Sequence, residues 1–430
     1  MVDAAPDATR PEHDTPAPAD PGSPAPELRT PDYTPVPVTD TLEGLRTAID
    51  ALAAGQGPVA VDTERASGFR YSQRAYLIQM HRSGSGTFLF DPPALVGADP
   101  DAFAGVQSII AAEEWVLHAA SQDLASLREV GLDPGRIFDT ELAARLLGMP
   151  RVGLGVVVAD LLGIRLEKEH SAADWSTRPL PTSWLEYAGL DVALLVELRD
   201  AIDERLHASG KRDIAEQEFA ATLAKTPKPP PAEPWRRLSG IHAIRSPRTL
   251  AVARSLWLAR DAYAREVDTA PGRLLPDRAI LAAAQAQPKD RRSLLATKGF
   301  TGRASRPQAD RWWAAVAEGL STDALPNLRS AAGDGLPPPR AWADRNPPAD
   351  ARLKLAREAV QRVGEAMAIP SENLLMPDTL RRIAWEPPTD PDAASVGEAL
   401  AALGARPWQV EATASVIAAA FVTAAQPPAD

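Results

Sequence analysis

The segment 58–65 (Pro-Val-Ala-Val-Asp-Thr-Glu-Arg) constrains this chain more than any other feature of its sequence. Its apolar part, Val59 to Val61, predicts a buried strand. Side chains two residues apart on a strand point from the same face, so the carboxylates of Asp62 and Glu64 are expected side by side. Two like charges on a partly buried face repel each other unless a proton or a cation lies between them. The pair therefore favours a site for a hard cation such as Mg²⁺, although an ordinary exit from strand to loop is also compatible with it.

Two later segments supply the partners that such a pair would need. Tyr187 and Asp191 lie four residues apart in a predicted helix, hence on one face, and the apolar neighbours of Asp191 indicate partial burial. Asp123 is expected in the first turn of the helix after a strand at 115–118, where a carboxylate also complements the helix dipole. Each feature alone has an ordinary structural explanation. In this order along one chain, they favour an active site.

Segments of strand character alternate with helical segments as far as about residue 206. The predicted strands lie at 58–64, 76–80, 87–90, 115–118 and 137–138. The second and third are separated by Ser-Gly-Ser-Gly, which indicates a hairpin. A long helix is predicted from a capping box at Ser183 and Glu186 to about Leu206. This mixture predicts an α/β domain whose central sheet is mixed.

Composition divides the remainder of the chain. The first 34 residues have few large apolar side chains, which predicts a disordered tail. The proline-rich stretch 224–234 indicates a stiff linker, and no strand is predicted beyond it. The predicted units are an α/β domain at 35–223, a helical domain at 235–320, a loop-rich connection at 321–348, a second helical domain at 349–425 and a tail at 426–430.

Charge and composition also limit the class of protein. The net charge of −11 argues weakly against a nucleic-acid partner, yet residues 235–311 contain 16 Lys/Arg against 6 Asp/Glu, a balance that suits contact with a phosphate backbone. Exposed arginine that only maintains solubility would give the same balance. The chain has no cysteine, which excludes disulfides and metals held by thiolates. Without a signal-peptide pattern or an apolar run long enough for a bilayer, a cytoplasmic protein with no membrane partner is expected.

With these residues, the chain resembles the DEDD superfamily of 3′→5′ exonucleases, in its tyrosine-bearing branch, and within it the ribonuclease D family. Asp62-Thr-Glu64 is similar to the first motif, 118–124 (His-Ala-Ala-Ser-Gln-Asp-Leu) to the second and 187–192 (Tyr-Ala-Gly-Leu-Asp-Val) to the third. Other landmarks of the family are seen at 139–144, Lys168 and 174–180. The span from Trp235 to Phe300 resembles the helical HRDC domain of RecQ-type helicases, and 349–425 fits a second HRDC-like domain by helix pattern and position alone.

The resemblance implies a ribonuclease H-like α/β exonuclease domain followed by all-α HRDC-type domains. It implies hydrolysis of RNA from its 3′ end, with tRNA precursors or other structured RNA as substrates, two divalent cations, Mg²⁺ or Mn²⁺, and release of 5′-mononucleotides. The catalytic set would be Asp62, Glu64, Asp123, Tyr187 and Asp191, with the four carboxylates as metal ligands. The tyrosine would orient the attacking water. A monomer is expected.

Basic and aromatic residues outside this set are candidate contacts with RNA. They are Arg70, Arg74, Lys168, Trp175, Arg178, Arg291, Arg292 and Lys298. For Trp175, burial in the core is at least as good an explanation. A solvated surface explains Arg70 and Arg74 about as well as phosphate contact does.

Several alternatives remain open from the sequence. His118 and Asp123 also fit the His-x4-Asp signature of the histidine branch, in which Asp91 or Asp101 would have to supply the second motif. The position of Asp191, just before the proline-rich linker, favours the tyrosine branch. A 3′→5′ DNA exonuclease and a catalytically inactive nucleic-acid-binding scaffold are the alternative functions. The complete set of five residues counts against the scaffold.

Overall fold

A computed structural model of the protein describes residues 34–166, 172–226, 229–328 and 335–426. Its strands are β1 (Val38–Thr39), β2 (Gln56–Arg65), β3 (Ala75–Ser83), β4 (Gly86–Phe90), β5 (Glu114–Leu117) and β6 (Arg136–Asp139). They form one sheet in the order β1-β4-β3-β2-β5-β6. β3 and β4 form the predicted hairpin, and β2 is antiparallel to β3 but parallel to β5. The prediction of a mixed sheet is confirmed.

Helices flank this sheet and make up the regular structure of the described residues beyond it, as predicted. Those of the α/β domain are α1 (Leu42–Ala54), α2 (Pro92–Ala98), α3 (Ala104–Ile110), α4 (Leu124–Arg128), α5 (Thr140–Leu146), α6 (Leu154–Leu162), α7 (Thr182–Ala193), α8 (Leu195–Ala208) and α9 (Arg212–Ala224). The next group is α10 (Pro247–Glu266), α11 (Pro271–Leu274), α12 (Asp277–Ala286), α13 (Arg291–Ala296) and α14 (Ala309–Ser321). The last group is α15 (Trp342–Arg345), α16 (Pro347–Met367), α17 (Ser371–Leu374), α18 (Pro377–Trp385), α19 (Ala393–Ala402) and α20 (Pro407–Ala424).

The long helix predicted over 183–206 is instead two helices, α7 and α8, separated at Leu194. The two pack against different surfaces: α7 against β2, β3 and β4, and α8 against β5, α5 and α6 as well as β2. The predicted capping box is also wrong. α7 begins at Thr182, and Pro181 is its capping residue: it has no side-chain acceptor, and its carbonyl accepts hydrogen bonds from the backbone nitrogens of Trp184 and Leu185.

The apolar core of the α/β domain continues into the last group of helices, whereas the middle group has a core of its own. A buried ionic contact reinforces the first junction. Glu218 on α9 accepts hydrogen bonds from Arg406 Nε at 2.6 Å, from Arg406 Nη2 at 2.7 Å and from the indole nitrogen of Trp408 at 2.8 Å. The α/β domain and the last helices are therefore expected to unfold together.

The order of the strands places the acidic residues where the carboxyl ends of three parallel strands meet. β2, β5 and β6 are parallel neighbours, so their carboxyl ends meet, and Asp62 and Glu64 lie near the end of β2. Asp123 follows β5 after a 3₁₀ turn at Ala120–Gln122. In open α/β sheets, ligands bind at the carboxyl ends of the strands.

Some predictions fall outside the described residues. These include Lys168, nearly all of the predicted N-terminal tail and most of the tail at 426–430. Within the described ranges, no helix combines the length and the apolar character needed to cross a bilayer.

Candidate active site

Three carboxylates meet where α7 crosses β2. One oxygen each from Asp62, Glu64 and Asp191 can be chosen so that all three lie within 4.8 Å of one another. The strand places the first two on one face, and α7 brings Asp191 over that face from more than a hundred residues away. Tyr187, one turn earlier on α7, is hydrogen-bonded to Asp191. The residues of the first and third motifs are thus neighbours in space.

Asp123 lies beside this cluster and makes contacts that the sequence did not predict. Its Oδ1 accepts a hydrogen bond from Thr63 Oγ1 at 2.8 Å, and Arg65 Nη2 lies 4.0 Å from the same oxygen. Ser126 Oγ donates to the Asp123 carbonyl at 2.9 Å. Thr63 lies between the two acids, and the alternation of strand side chains predicts that it points to the opposite face of β2. That its hydroxyl bonds to Asp123 follows only from the folded structure.

The loop that carries Asp123 is fixed by another buried acid, Asp139 at the end of β6. Its carboxylate accepts hydrogen bonds from the backbone nitrogens of Ala119 at 3.0 Å and Ala120 at 2.9 Å. It also caps α5 by accepting from Glu141 and Leu142. Ala119 has a φ of 67°, a left-handed conformation that needs this kind of support in a residue other than glycine.

All five predicted catalytic residues line one cavity of about 600 Å³. Its wall also includes Thr63, Arg65, Ser67, Gly68, Phe69, His118, Gln122 and Glu141. Five of the wall residues are acids, and Arg65 is the one lysine or arginine among the described residues of the wall. The cavity thus concentrates negative charge.

Burial and mutual repulsion hold protons on these acids. Desolvation raises the pKa of Asp62 to about 6, although the backbone of Thr63 and the charge of Arg65 lower it. Burial also raises the pKa of Glu64, and the carboxylates of Asp62, Asp191 and Asp123 raise it further. The pKa values of Asp123 and Asp191 are likewise well above their ordinary value, first because of burial and then because of Asp62. A cluster of carboxylates that retain protons for lack of a compensating positive charge fits a hard divalent cation.

The metal-free protein should therefore lose stability as the pH rises. Folding raises the pKa of these carboxyl groups, so from about pH 4 up to their raised pKa values the folded chain binds more protons than the unfolded chain. Their stabilising effect is fully present below about pH 4 and is lost as the pH passes through the folded-state pKa values. We expect the melting temperature in EDTA to fall between pH 5 and pH 8, and Mn²⁺ to restore it more at pH 8 than at pH 5. A melting temperature that is insensitive to Mn²⁺ at both pH values would contradict this.

Trp175 packs against Tyr187 and is completely buried, so the predicted contact of this side chain with RNA is wrong. Its ring lies 5.2 Å from that of Trp184 and 6.4 Å from that of Tyr187, measured between centroids. Together with Tyr76 it belongs to a small apolar cluster that holds α7 against the sheet. The core explanation considered from the sequence is the correct one.

The arginines predicted to contact RNA near the site are engaged with protein groups. Arg178 bonds to Asp91 through Nε at 2.5 Å and to the carbonyls of Trp175 and Tyr76, both at 2.8 Å. Its guanidinium thus holds the loop at 174–180 in place, and its contact with RNA stays a prediction. Arg70 Nε donates to Ser176 Oγ at 2.8 Å.

Arg74 pairs with Asp268 at 3.3 Å, across to the middle group of helices. Contacts of Arg70 and Arg74 with RNA stay a prediction, beside these structural roles.

His118 lines the cavity without the partners that the histidine branch would require. Its Nδ1 shares a hydrogen bond with Thr140 Oγ1 at 2.9 Å, and burial lowers its pKa to about 4, so the ring is neutral. Asp91 caps α2 through Ala94 and pairs with Arg178, away from the cluster. The geometry favours the tyrosine branch.

Arg291, Arg292 and Lys298 are exposed on the middle group of helices, and their contact with RNA stays a prediction. Arg291 is paired with Asp310. Arg303 and Arg306, which no sequence pattern singled out, share with Arg291 an open groove of about 700 Å³.

Comparison with known proteins gives three matches to protein families. Residues 36–207 match a 3′-5′ exonuclease family, 249–316 an HRDC domain and 335–421 a 3′ to 5′ exonuclease C-terminal domain. The exact bounds of the units predicted from the sequence, and the HRDC-like character of 349–425, stay predictions.

Solved structures give the same fold. A protein from Bifidobacterium adolescentis has 34% sequence identity and a TM-score of 0.83, covering 93% of this chain and 99% of its own. RNase D of Escherichia coli, at 23% identity and a TM-score of 0.62, covers 85% and 98%. Fold and site together define a 3′→5′ exonuclease with an attached HRDC domain.

Among curated proteins, ribonuclease D of Acidiphilium cryptum is 31% identical over 318 residues, which cover 72% of this chain and 76% of that protein. Ribonuclease D of a Jannaschia species is 31% identical over 72% of this chain and 79% of its own length. The chain belongs to the ribonuclease D family and is a 3′→5′ exoribonuclease.

Proposed function

We propose that this enzyme shortens structured RNA, tRNA precursors among them, by metal-dependent hydrolysis that releases 5′-mononucleotides. One observation supports the mechanism above all others. Asp62, Glu64 and Asp191 place three oxygens within 4.8 Å of one another, in a cavity that Tyr187 and Asp123 also line. Such a cluster of buried acids costs stability, so a cation that neutralises it explains why the fold tolerates it.

The cluster of Asp62, Glu64 and Asp191 fits one cation, Mg²⁺ or Mn²⁺. A second cation would be held by Asp62 and, through waters, by Asp123, which lines the same cavity. When bound, such ions stabilise negative charge on the attacking and leaving oxygens of the phosphodiester. The hydrogen bond from Thr63 fixes the orientation of the Asp123 carboxylate beside the cluster.

The side chains of this protein bind and orient the reactants. Water adds to the phosphorus of the terminal phosphodiester, the bond to the 3′-oxygen of the preceding nucleotide breaks, and that oxygen takes up a proton. Tyr187 acts by hydrogen bonding, because burial and the neighbouring Asp191 and Glu64 raise its pKa above the ordinary value and the phenol keeps its proton. It is therefore a positioning group for the water and no general base.

Replacing Tyr187 by Phe removes only the hydroxyl and should have a moderate effect. We expect kcat to fall by about 10- to 100-fold, less than the roughly 100- to 10,000-fold typical of a lost general acid or base, with little change in KM. The slope of log kcat against pH up to pH 9 should be the same as in the wild type, because the phenol does not titrate there. A change in that slope would indicate that Tyr187 acts as a base.

The proposal is tested with matched RNA and DNA oligonucleotides labelled at the 3′ end, incubated with Mg²⁺ or Mn²⁺. Preferential release of labelled mononucleotide from RNA is the expected result. Release from DNA alone would support a DNA exonuclease, and the absence of release from both would support a nucleic-acid-binding scaffold. Omission of the metal, with EDTA present, is the control.

A further inference from the structure

The HRDC domain touches the wall of the active-site cavity. Arg273 on α11 donates from Nε to the carbonyl of Gly68 at 2.8 Å, and its guanidinium carbon lies 3.9 Å from the centroid of the Phe69 ring. The backbone nitrogen of Ala270 donates to the carbonyl of Phe69 at 2.9 Å. Gly68 and Phe69 line the cavity that contains the three-carboxylate cluster. Arg273 of the HRDC domain thus contacts two residues that line the cavity of the exonuclease domain.

Asp268 anchors this contact a few residues away. Its carboxylate accepts hydrogen bonds from the backbone nitrogen of Ser72 at 2.8 Å and from the hydroxyl of Tyr76 at 3.1 Å, and it pairs with Arg74 at 3.3 Å. Asp268 adopts a φ of 42°, in the left-handed region that residues other than glycine rarely occupy. The contacts of its carboxylate compensate for the strain of this turn after α10. These contacts hold the turn before α11 against the exonuclease domain, and Arg273 lies on α11.

Arg273 has hydrogen-bonding capacity left over. Of its guanidinium nitrogens, Nε alone has a partner among the described residues, and the side chain is exposed. No carboxylate of the described ranges pairs with it. Arg265 and Arg311 of the same domain, by contrast, both form ion pairs. The two terminal nitrogens of Arg273 are a planar fork suited to a phosphate, and stacking on Phe69 restricts its orientation in advance.

We propose that Arg273 binds a backbone phosphate of the RNA next to its 3′ end, so that the HRDC domain forms part of the substrate site of the exonuclease domain. The inference rests on the proposed hydrolysis of RNA. RNA is a polyanion, and Arg65, the one lysine or arginine of the described cavity wall, already lies close to Asp123. A cationic side chain beside the cavity that has no acidic partner would attract a backbone phosphate. Arg273 is a substrate-binding residue in this account and takes no part in the chemical step.

The test measures how variants bind a four-nucleotide RNA with a 3′-hydroxyl and a fluorophore at its 5′ end. Fluorescence anisotropy in Ca²⁺ gives the dissociation constant without a need for turnover. We expect Arg273→Ala to raise the dissociation constant about tenfold, and Arg273→Lys about threefold, since lysine keeps the charge but loses the fork. Arg278→Ala removes an exposed arginine of the same domain and should stay within twofold of the wild type.

A second variant separates direct binding from domain docking. Asp268→Ala removes the anchor and leaves Arg273 in the chain, so it should weaken binding less than Arg273→Ala does. An unchanged dissociation constant for Arg273→Ala, or equal weakening by both variants, would overturn the proposal. Thermal denaturation of each variant shows whether it is folded. Because binding is measured without hydrolysis, failure of this proposal is distinct from failure to release nucleotides from RNA.

Discussion

Asp62→Asn should lower kcat for RNA by on the order of a thousandfold or more, the largest effect expected of any single substitution in this protein. The change keeps the volume of the side chain and removes one negative charge from the centre of the cluster. Asp62 is the one acid proposed to contact both cations, and both the attacking and the leaving oxygen depend on those ions. Binding of RNA should stay within a few-fold of the wild type, because the phosphate contacts are made elsewhere.

The same substitution should make the metal-free protein more stable at pH 8. It removes a charge that raises the pKa values of Glu64, Asp123 and Asp191. Glu186→Gln is the matched control, since Glu186 is an exposed acid on α7. That variant should keep wild-type turnover and an unchanged melting temperature. Turnover by Asp62→Asn within tenfold of the wild type would exclude the assigned role of this residue.

Glu218→Ala should lower the free energy of unfolding by about 3 kcal/mol, the largest stability effect predicted here. Glu218 is buried, and its loss leaves the guanidinium of Arg406 and the indole nitrogen of Trp408 without their acceptor. Because the α/β domain and the last helices share one core, the loss should appear in a single transition. Urea unfolding followed by tryptophan fluorescence measures it.

Glu216 provides the control for this prediction. It lies on the same helix and pairs with Arg212 at 3.0 Å, but its side chain is 62% exposed. Exposed pairs of this kind contribute little, so Glu216→Ala should change the free energy of unfolding by no more than about 0.5 kcal/mol. Equal effects of the two substitutions would mean that the contact between α9 and the last helices does not stabilise the fold.

Much of the α/β domain could be predicted from local pattern. The run from Val59 to Val61 and the turn between β3 and β4 are each signals carried by a few adjacent residues, and the elements that they predict are present. The spacing of Asp62 and Glu64 fixed their common face for the same reason. Asp191 was predicted from its spacing to Tyr187, its apolar neighbours and the resemblance to the third motif, but its closeness to the pair follows from how α7 packs on β2.

Contacts between distant segments could not be predicted. The sequence does not show that Arg178 would hold the loop at 174–180 through Asp91, or that Arg74 would pair with Asp268. An arginine near an active site is equally consistent with phosphate and with protein partners, and only the folded arrangement decides. The buried position of Trp175 is a case of the same kind, since an aromatic residue in a polar loop can face either way.

The cluster also illustrates how a site can cost stability where function requires it. Sequence and packing place four acids with raised pKa values in one region, and Arg65 lies near enough to lower three of those values. A cation would replace the protons that these groups otherwise retain. Metal affinity should then increase with pH, in the same range in which the metal-free protein loses stability.

Calorimetric titration of Mn²⁺ into the metal-free protein at pH 8 tests this account most directly, with Asp191→Ala as the comparison. The account predicts saturable binding by the wild type, release of protons on binding, and loss of at least one site in the variant together with its hydrolysis of RNA. Saturable binding that is unchanged in Asp191→Ala, or wild-type hydrolysis by that variant, would contradict it.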